Sequence, residues 1–266
     1  MRSQDAIVER IASRQNPRLK DLRQRLADRG PRDGWLAIEG ENLILEATRS
    51  GLPLASLFLR EGHRWLEMGA PAAADTVLAV QAEAFASACG TQSSQGVAAL
   101  VRQPQWSLDE VLAAADPRLV ILDGIQDPGN TGTIIRTAEA FGATAVLLVP
   151  PAAGPWRQKV LRASAGSSFR LPVITLESAE PLQQLHALRI PLIACAAHEG
   201  ASISQATLGE RWGVVIGSEG SGISPAVAAL CDGMLHIPCP GPVESLNAAT
   251  AAAILLYVAS RQRAEP

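Results

Sequence analysis

Leu122-Asp-Gly-Ile-Gln-Asp-Pro-Gly-Asn-Thr-Gly-Thr-Ile-Ile-Arg136 is the stretch on which the reading of this 266-residue chain turns. An apolar, β-branched run over residues 119–122 enters it, Asp127-Pro-Gly breaks it, and Ile134, Ala138 and Phe141 then recur at helical spacing. Strand, polar glycine turn and helix therefore follow one another without a gap. Asn130 or Thr131 can cap that helix, and Gly129 and Gly132 leave room for a ligand to approach the backbone. Arg136 lies about 200° around the helix from Ile134 at 3.6 residues per turn, away from the core face. Its guanidinium either makes a surface ion pair with Glu139 or Glu244 or holds a phosphate or carboxylate.

Two later stretches repeat the pattern: Val215-Ile-Gly-Ser-Glu-Gly-Ser-Gly-Ile-Ser224 and His236-Ile-Pro-Cys-Pro-Gly-Pro-Val-Glu-Ser-Leu-Asn247. Strands are expected at 119–122, 145–149, 173–175, 191–194, 213–216 and 234–237. Helices are expected at 131–141, 156–165, 181–188 and 247–260, with a short turn after Ser224. Short apolar strands separated by helices imply an α/β domain, its mostly parallel sheet covered on both faces. Ligands in such sheets bind beyond the carboxyl ends of the strands, where all three polar stretches emerge. The last helix is apolar nearly all round, which fits threading through the core or a subunit interface.

Upstream, strands at 35–39, 54–59, 76–80 and 97–101 alternate with helices at 17–28, 40–50, 61–68 and 82–88. The expected organisation is a small α/β domain over residues 1–102, a linker over 103–117 carrying a short helix at 108–115, and a second domain over 118–266.

The net charge is −3, yet the basic groups are unevenly spread. Up to Arg32 there are nine basic residues against four acidic ones, and residues 118–170 hold six against three. A phosphate-binding footprint needs a local patch rather than a basic whole, although solvated helix faces would give the same count. The four cysteines (Cys89, Cys195, Cys231, Cys239) show no paired spacing. The opening residues are charged and amphipathic, and the longest apolar run, 248–259, is too short to span a bilayer. A cytoplasmic, reduced protein is expected.

Other chemistries find no support. Cys231, His236 and Cys239 lack a suitably spaced fourth ligand, so no metal is expected and the thiols read as buried. His63, His186 and His198 stand alone, as surface or satisfied core residues. Neither a phosphate P-loop nor a Rossmann fingerprint is present, and the serine-hydrolase elbow is missing.

Asn130…Gly132…Arg136, then Ile216-Gly-Ser-Glu219-Gly…Gly222-Ile, then Ile237-Pro…Glu244-Ser-Leu-Asn247 closely resemble the three motifs of the SpoU/TrmH ribose methyltransferases of the SPOUT superfamily. Ile11-Ala-Ser-Arg-Gln-Asn-Pro-Arg-Leu-Lys20, with Ala37-Ile-Glu-Gly40, resembles the RNA-substrate-binding extension of that family. The resemblance implies methyl transfer from S-adenosylmethionine to a ribose 2′-hydroxyl of RNA. It also implies a homodimer and a deep trefoil knot, one of the few exceptions to unknotted chains. Carried over by motif, Gly217, Ile237 and Leu246 contact the cofactor, and Asn130, Arg136, Glu219, Ser245 and Asn247 form the catalytic set. Arg14, Arg18 and Lys20 are the expected RNA contacts.

Arginine is a poor base, so the expected role of Arg136 is a phosphate clamp that also stabilises the developing alkoxide. The extension points to ribosomal RNA; transfer RNA, or a non-catalytic RNA-binding or ribosome-assembly role on the same fold, are the alternatives. Cys239-Pro240 departs from the family pattern, and Pro240 removes an amide from the cofactor loop.

Overall fold

The computed structural model describes residues 8–27, 30–70, 73–89, 95–243 and 245–261. Arg2, Asp28, Arg29 and Glu244 lie outside them. The chain forms two compact units: one holds the chain up to Gln105 together with Trp156–Phe169, and the other holds Trp106–Pro155 and the chain from Arg170 onward.

In chain order, the first unit begins with β1 (Val8–Ile11), α1 (Pro17–Ala27), β2 (Trp35–Glu39) and α2 (Glu41–Arg49). It continues with β3 (Leu54–Arg60), α3 (Trp65–Met68), β4 (Ala74–Val80), α4 (Ala82–Cys89) and β5 (Val97–Arg102). The strands form a mixed sheet in the order β1-β4-β3-β5-β2. Period-two alternation divides their side chains between two cores. Leu36, Ile38, Leu57, Leu59, Val97 and Ala99 meet Leu43, Ile44 and Ala47 of α2. Ala37, Phe58, Leu78 and Ala98 belong to the other core, with Leu19 and Leu22 of α1 and Ala84 and Phe85 of α4.

The helix expected at 61–68 is shorter than its periodicity suggested. Gly62 sits at φ +80°, so the chain turns there and only Trp65–Met68 is helical. The reading also missed β1. Its Glu9-Arg10 centre is exposed at the sheet edge, so no apolar alternation marked it.

The second unit opens with α5 (Leu108–Leu112), β6 (Arg118–Asp123), α6 (Pro128–Ala140) and β7 (Ala145–Val149). α7 (Gln158–Ser164) follows in the chain but packs in the first unit, where Trp156, Leu161 and Phe169 join the α2 core and Gln158 Nε2 donates to the Ala37 carbonyl at 2.6 Å. Then come β8 (Val173–Thr175), a 3-10 turn running into α8 (Gln183–Ala187), β9 (Leu192–Ala196) and β10 (Ala201–Ser202). β11 (Trp212–Gly217), α9 (Pro225–Ala228), β12 (Gly233–His236) and α10 (Ala248–Arg261) complete it.

The seven strands run β10-β12-β9-β11-β6-β7-β8, and every pairing is parallel. Leu119, Ile121, Leu147 and Val215 face one core with residues of α5, α8 and α9. On the alternate positions, Val120, Leu122, Val146 and Val214 are likewise buried; α6 packs against β7, α10 against β11, and the two helices against each other. The expected parallel sheet with helices on both faces is what forms. Its strands all deliver their carboxyl ends to one edge.

His63 is buried in the first unit, where Nε2 lies 3.2 Å from Glu41 Oε1 and the ring meets Trp65 edge-on. Burial lowers its pKa below the ordinary 6.5, against the opposing pull of Glu41. Folding therefore favours the neutral ring. Its contribution to stability should be complete above pH 6.5 and be lost as pH falls through the depressed folded value. Urea unfolding across this range should show that decline in the wild type and a smaller one in His63→Gln; equal slopes would remove His63 as the cause.

Candidate functional site

Three loops leave the carboxyl ends of β6, β11 and β12, and one carboxylate gathers them. Glu219 Oε1 accepts from Asn130 Nδ2 at 3.0 Å, Asn247 Nδ2 at 2.5 Å and the Ala248 backbone N–H at 3.2 Å. Asn247 Nδ2 also reaches Asn130 Oδ1 at 3.1 Å, closing the triangle. Residues separated by 89, 28 and 117 positions are thus tied at one point.

Each loop is held from beneath. Asp123, buried at the end of β6, accepts the Ser224 N–H at 2.6 Å and so pins the first loop to the second. Ser218 and Gly222 exchange backbone hydrogen bonds of 3.0 and 2.9 Å, with Gly222 at φ +66°, which folds the second loop back on itself. A Cβ on Gly217 would strike the Gly222 carbonyl group and lie 2.6 Å from the Ile223 nitrogen, so this position requires glycine for space.

The expected cap of α6 is corrected. Neither Asn130 nor Thr131 takes that role; the helix begins at Pro128, and Asp127 accepts the Asn130 N–H at 2.7 Å. Asp-Pro is a strong start because the carboxylate answers an orphan amide and proline occupies the first turn. The consequence is local and useful: the Asn130 side chain is free to reach Glu219. Asn247 does both jobs. Its Oδ1 accepts from Ala249 and Thr250 at 3.0 and 3.3 Å, capping α10, while its Nδ2 serves the network.

A cavity of about 260 Å3 opens beside this network. Gly217, Ile237 and Leu246 all line it, and Glu219 and Ser245 stand at the same wall. Ser245 is exposed and takes no part in the Glu219 network. Of the two residues that depart from the family pattern, Cys239 lines the cavity and Pro240 does not. A second hollow of about 430 Å3 adjoins it through Ser218 and Glu219 and is lined on its other side by Gln126, Asp127 and Asn130.

Arg136 enters neither lining. It is exposed on α6, about 9 Å along the helix from Asn130 at 1.5 Å per residue, and has no ion-pair partner among the described residues. Glu139 pairs instead with Arg170, at 2.6 and 3.0 Å. In the first unit, Arg14 and Arg18 are exposed but already paired, with Glu83 at 3.1 Å and Glu9 at 2.7 Å. Lys20 is exposed.

Sequence reasoning missed the end of β9, where Cys195, Ala196 and Ala197 form part of the cavity wall. Small residues just past a strand were the only available signal. Burial raises the Cys195 thiol, and burial together with Asp232 pushes Cys231 up to about 11, so both stay protonated at neutral pH. Among the described residues no group of three or more His, Cys, Asp or Glu is placed to hold a metal ion. No helix among them is long and apolar enough to cross a membrane.

Comparison with known proteins points in one direction. Residues 117–257 match the SpoU rRNA Methylase family, and residues 5–99 match the MRM3-like substrate binding domain. The chain is 31% identical over 254 residues to the 23S rRNA (guanosine(2553)-2′-O)-methyltransferase RlmP of Bacillus subtilis, covering 94% of this chain and 98% of the relative. It is 33% identical over 272 residues to the 23S rRNA (uridine(2479)-2′-O)-methyltransferase of Streptomyces viridochromogenes, covering 96% and 93%. Among solved structures, the SpoU methyltransferase AviRb from Streptomyces viridochromogenes in complex with AdoMet is similar at a TM-score of 0.81 and 29% identity, over 94% of this chain and 99% of that one.

The loop geometry separates two neighbouring glycines. Gly217→Ala should cost about 1–3 kcal/mol through overpacking, whereas Gly220, with no atom within 4 Å of an added Cβ, should accept alanine with little change. Denaturant unfolding of both variants checks this; equal stabilities would contradict the close packing at Gly217.

Proposed function

We propose that this chain, which belongs to the SpoU rRNA methylase family, transfers a methyl group from S-adenosylmethionine to a ribose 2′-hydroxyl of ribosomal RNA. The observation that carries the reading is the meeting of Gly217, Ile237 and Leu246 in one cavity that is also lined by Glu219, the acceptor of the Asn130 and Asn247 amides. The names of the Bacillus subtilis and Streptomyces viridochromogenes relatives favour ribosomal over transfer RNA.

The cavity suits the cofactor. Its walls are largely glycine, alanine and aliphatic residues, Ala197, Ile237, Leu246 and Ala251 among them, with Ser218, Glu219 and Ser245 as the hydroxyl and carboxylate side chains. Such a lining suits a nucleoside held by its flat face and by main-chain groups. When bound, S-adenosylmethionine supplies an already activated methyl group. What remains for the protein is to align the ribose oxygen and to manage its proton.

Asn130, Glu219 and Asn247 hold one another in fixed rotamers, so the amides and the second carboxylate oxygen can position a ribose at the adjoining hollow. Arg136, unpaired on α6, serves as a clamp on a neighbouring phosphate, and its charge favours the 2′-oxyanion over the hydroxyl. Ser245, on the wall of the cofactor cavity, orients the ribose at its boundary with that hollow. Arg14, Arg18 and Lys20 contribute phosphate contacts from the first unit. The ion pairs of the two arginines do not oppose this, because exposed pairs are worth about 0–1 kcal/mol and exchange readily.

The same reading includes the trefoil knot, a homodimer and a cytoplasmic location. β12 lies beyond β9, yet the helix that follows packs on α6 and β11, a crossing that a threaded tail would make. Tyr257 of α10 is 48% exposed beside Phe141, and Ile254 and Val258 are half-buried, which supports pairing with a second copy there.

The direct test is incubation with methyl-labelled S-adenosylmethionine and total RNA, followed by nuclease mapping of the label. Label on a ribose of large-subunit ribosomal RNA is expected; cofactor binding without transfer to any RNA would overturn the enzyme reading. Arg136→Ala should reduce transfer at least about 100-fold, in line with loss of an oxyanion-stabilising group, while cofactor affinity by calorimetry changes little. Comparable turnover in that variant would remove Arg136 from the mechanism.

A further inference from the structure

The first unit contains a hollow of about 700 Å3 that shares no lining residue with the cavity at Gly217, Ile237 and Leu246. It opens at the junction of β2 and α2 and is walled on the far side by α7. Gly40 lines it, and Gly166 lies next to Ala165 of its wall. Gly40 takes φ +105°, and a Cβ there would lie 3.2 Å from Gln95 Oε1, which itself accepts the Glu41 N–H at 2.8 Å. Gly166, at φ +87°, is packed so closely that a Cβ would lie 2.5 Å from Glu46 Cβ, and this contact holds the end of α7 against α2.

The polar groups around the hollow are unevenly satisfied. Arg49 answers Glu46 at 2.6 Å, and Glu39 is also engaged. The amide of Asn42, the NH2 of Gln95 and the guanidinium of Arg162 have no partner among the described residues, and all three side chains are on exposed residues lining the hollow. The lining therefore presents one uncompensated guanidinium and two side-chain amides.

That set matches one nucleotide. A guanidinium grips a phosphate through paired N–H donors, and amides present a donor and an acceptor to a base edge. Bases are available for such contacts where RNA is single-stranded and its bases are splayed from the stack. A single phosphate of a polynucleotide carries one negative charge, which Arg162 alone can balance. A free nucleotide di- or triphosphate would need more cations than the hollow supplies.

We propose that this hollow receives one unpaired ribonucleotide of the RNA substrate, with its phosphate on Arg162 and its base edge against Asn42 and Gln95. The proposal rests on the reading of the substrate as RNA. It assigns to the first unit a nucleotide-reading pocket distinct from the basic groups around Arg14 and Lys20.

The test is filter binding of an in vitro transcript of large-subunit ribosomal RNA to the full chain, the Arg162→Ala/Asn42→Ala double variant and Arg162→Lys. The double variant should bind about tenfold more weakly or worse, Arg162→Lys should recover part of the loss, and S-adenosylmethionine affinity should not change. Millimolar AMP or GMP should fail to compete. Unchanged RNA affinity in the double variant would overturn the proposal. Saturable binding of AMP or GMP that the double variant loses, with RNA affinity retained, would overturn it in favour of a small-nucleotide site. RNA binding by the wild type without methyl transfer would defeat the enzymatic reading and leave this pocket standing. No RNA binding by the wild type would defeat both.

Discussion

One oxygen atom organises the second unit. Glu219 Oε1 takes hydrogen bonds from Asn130, Asn247 and the first amide of α10. The donors follow β6 and β12 and the acceptor follows β11, strands that are not all neighbours, since β9 stands between β11 and β12. An ionised acceptor makes such bonds stronger than neutral ones, and three donors on one oxygen leave little freedom to any of them. Glu219 is exposed, so this is less a source of global stability than a means of fixing where three loops end.

The sheet makes the convergence possible. Parallel strands place their carboxyl ends on one edge, and the helices that follow return over the faces, so polar turns collect where the side-chain layers stop. Asp123 and Ser224 then set the height of the first two loops against each other, and the tight Ser218–Gly222 turn fixes the second loop as part of the cavity wall. The cavity at Gly217, Ile237 and Leu246 and the adjoining hollow share Ser218 and Glu219, so a group bound in one would lie against residues that shape the other.

Much of this was legible in the residues. Ala145–Val149 coincides with the strand expected from its apolar run, because a strand buried on both faces is apolar throughout; Val173–Thr175 also coincides, at the sheet edge, where only Val173 is buried. The three polar stretches announced themselves through glycine and proline beside side chains that no turn needs. What escaped had physical causes. Capping by Asp127 was legible in Asp127-Pro128, but the same residues also fit a turn, and the expectation gave them to the turn and the cap to Asn130 or Thr131. The Cys195–Ala197 wall carries no polar signal. The helical period of 158–164 was readable, but periodicity gives the face of a helix and not the core that receives it; Trp156, Leu161 and Phe169 were expected in the second domain and pack in the first unit. Nor could spacing show that Arg14 and Arg18 would be paired with distant or neighbouring acids.

The central claim is that loops remote in sequence make a single cofactor hollow. It is tested most directly by a crystal structure of the full chain grown with S-adenosylhomocysteine. The account requires ligand density between Gly217, Ile237 and Leu246, with the Glu219 bonds to Asn130 and Asn247 intact. Density for the ligand anywhere else, or an unfilled hollow in crystals grown at saturating ligand, would contradict it.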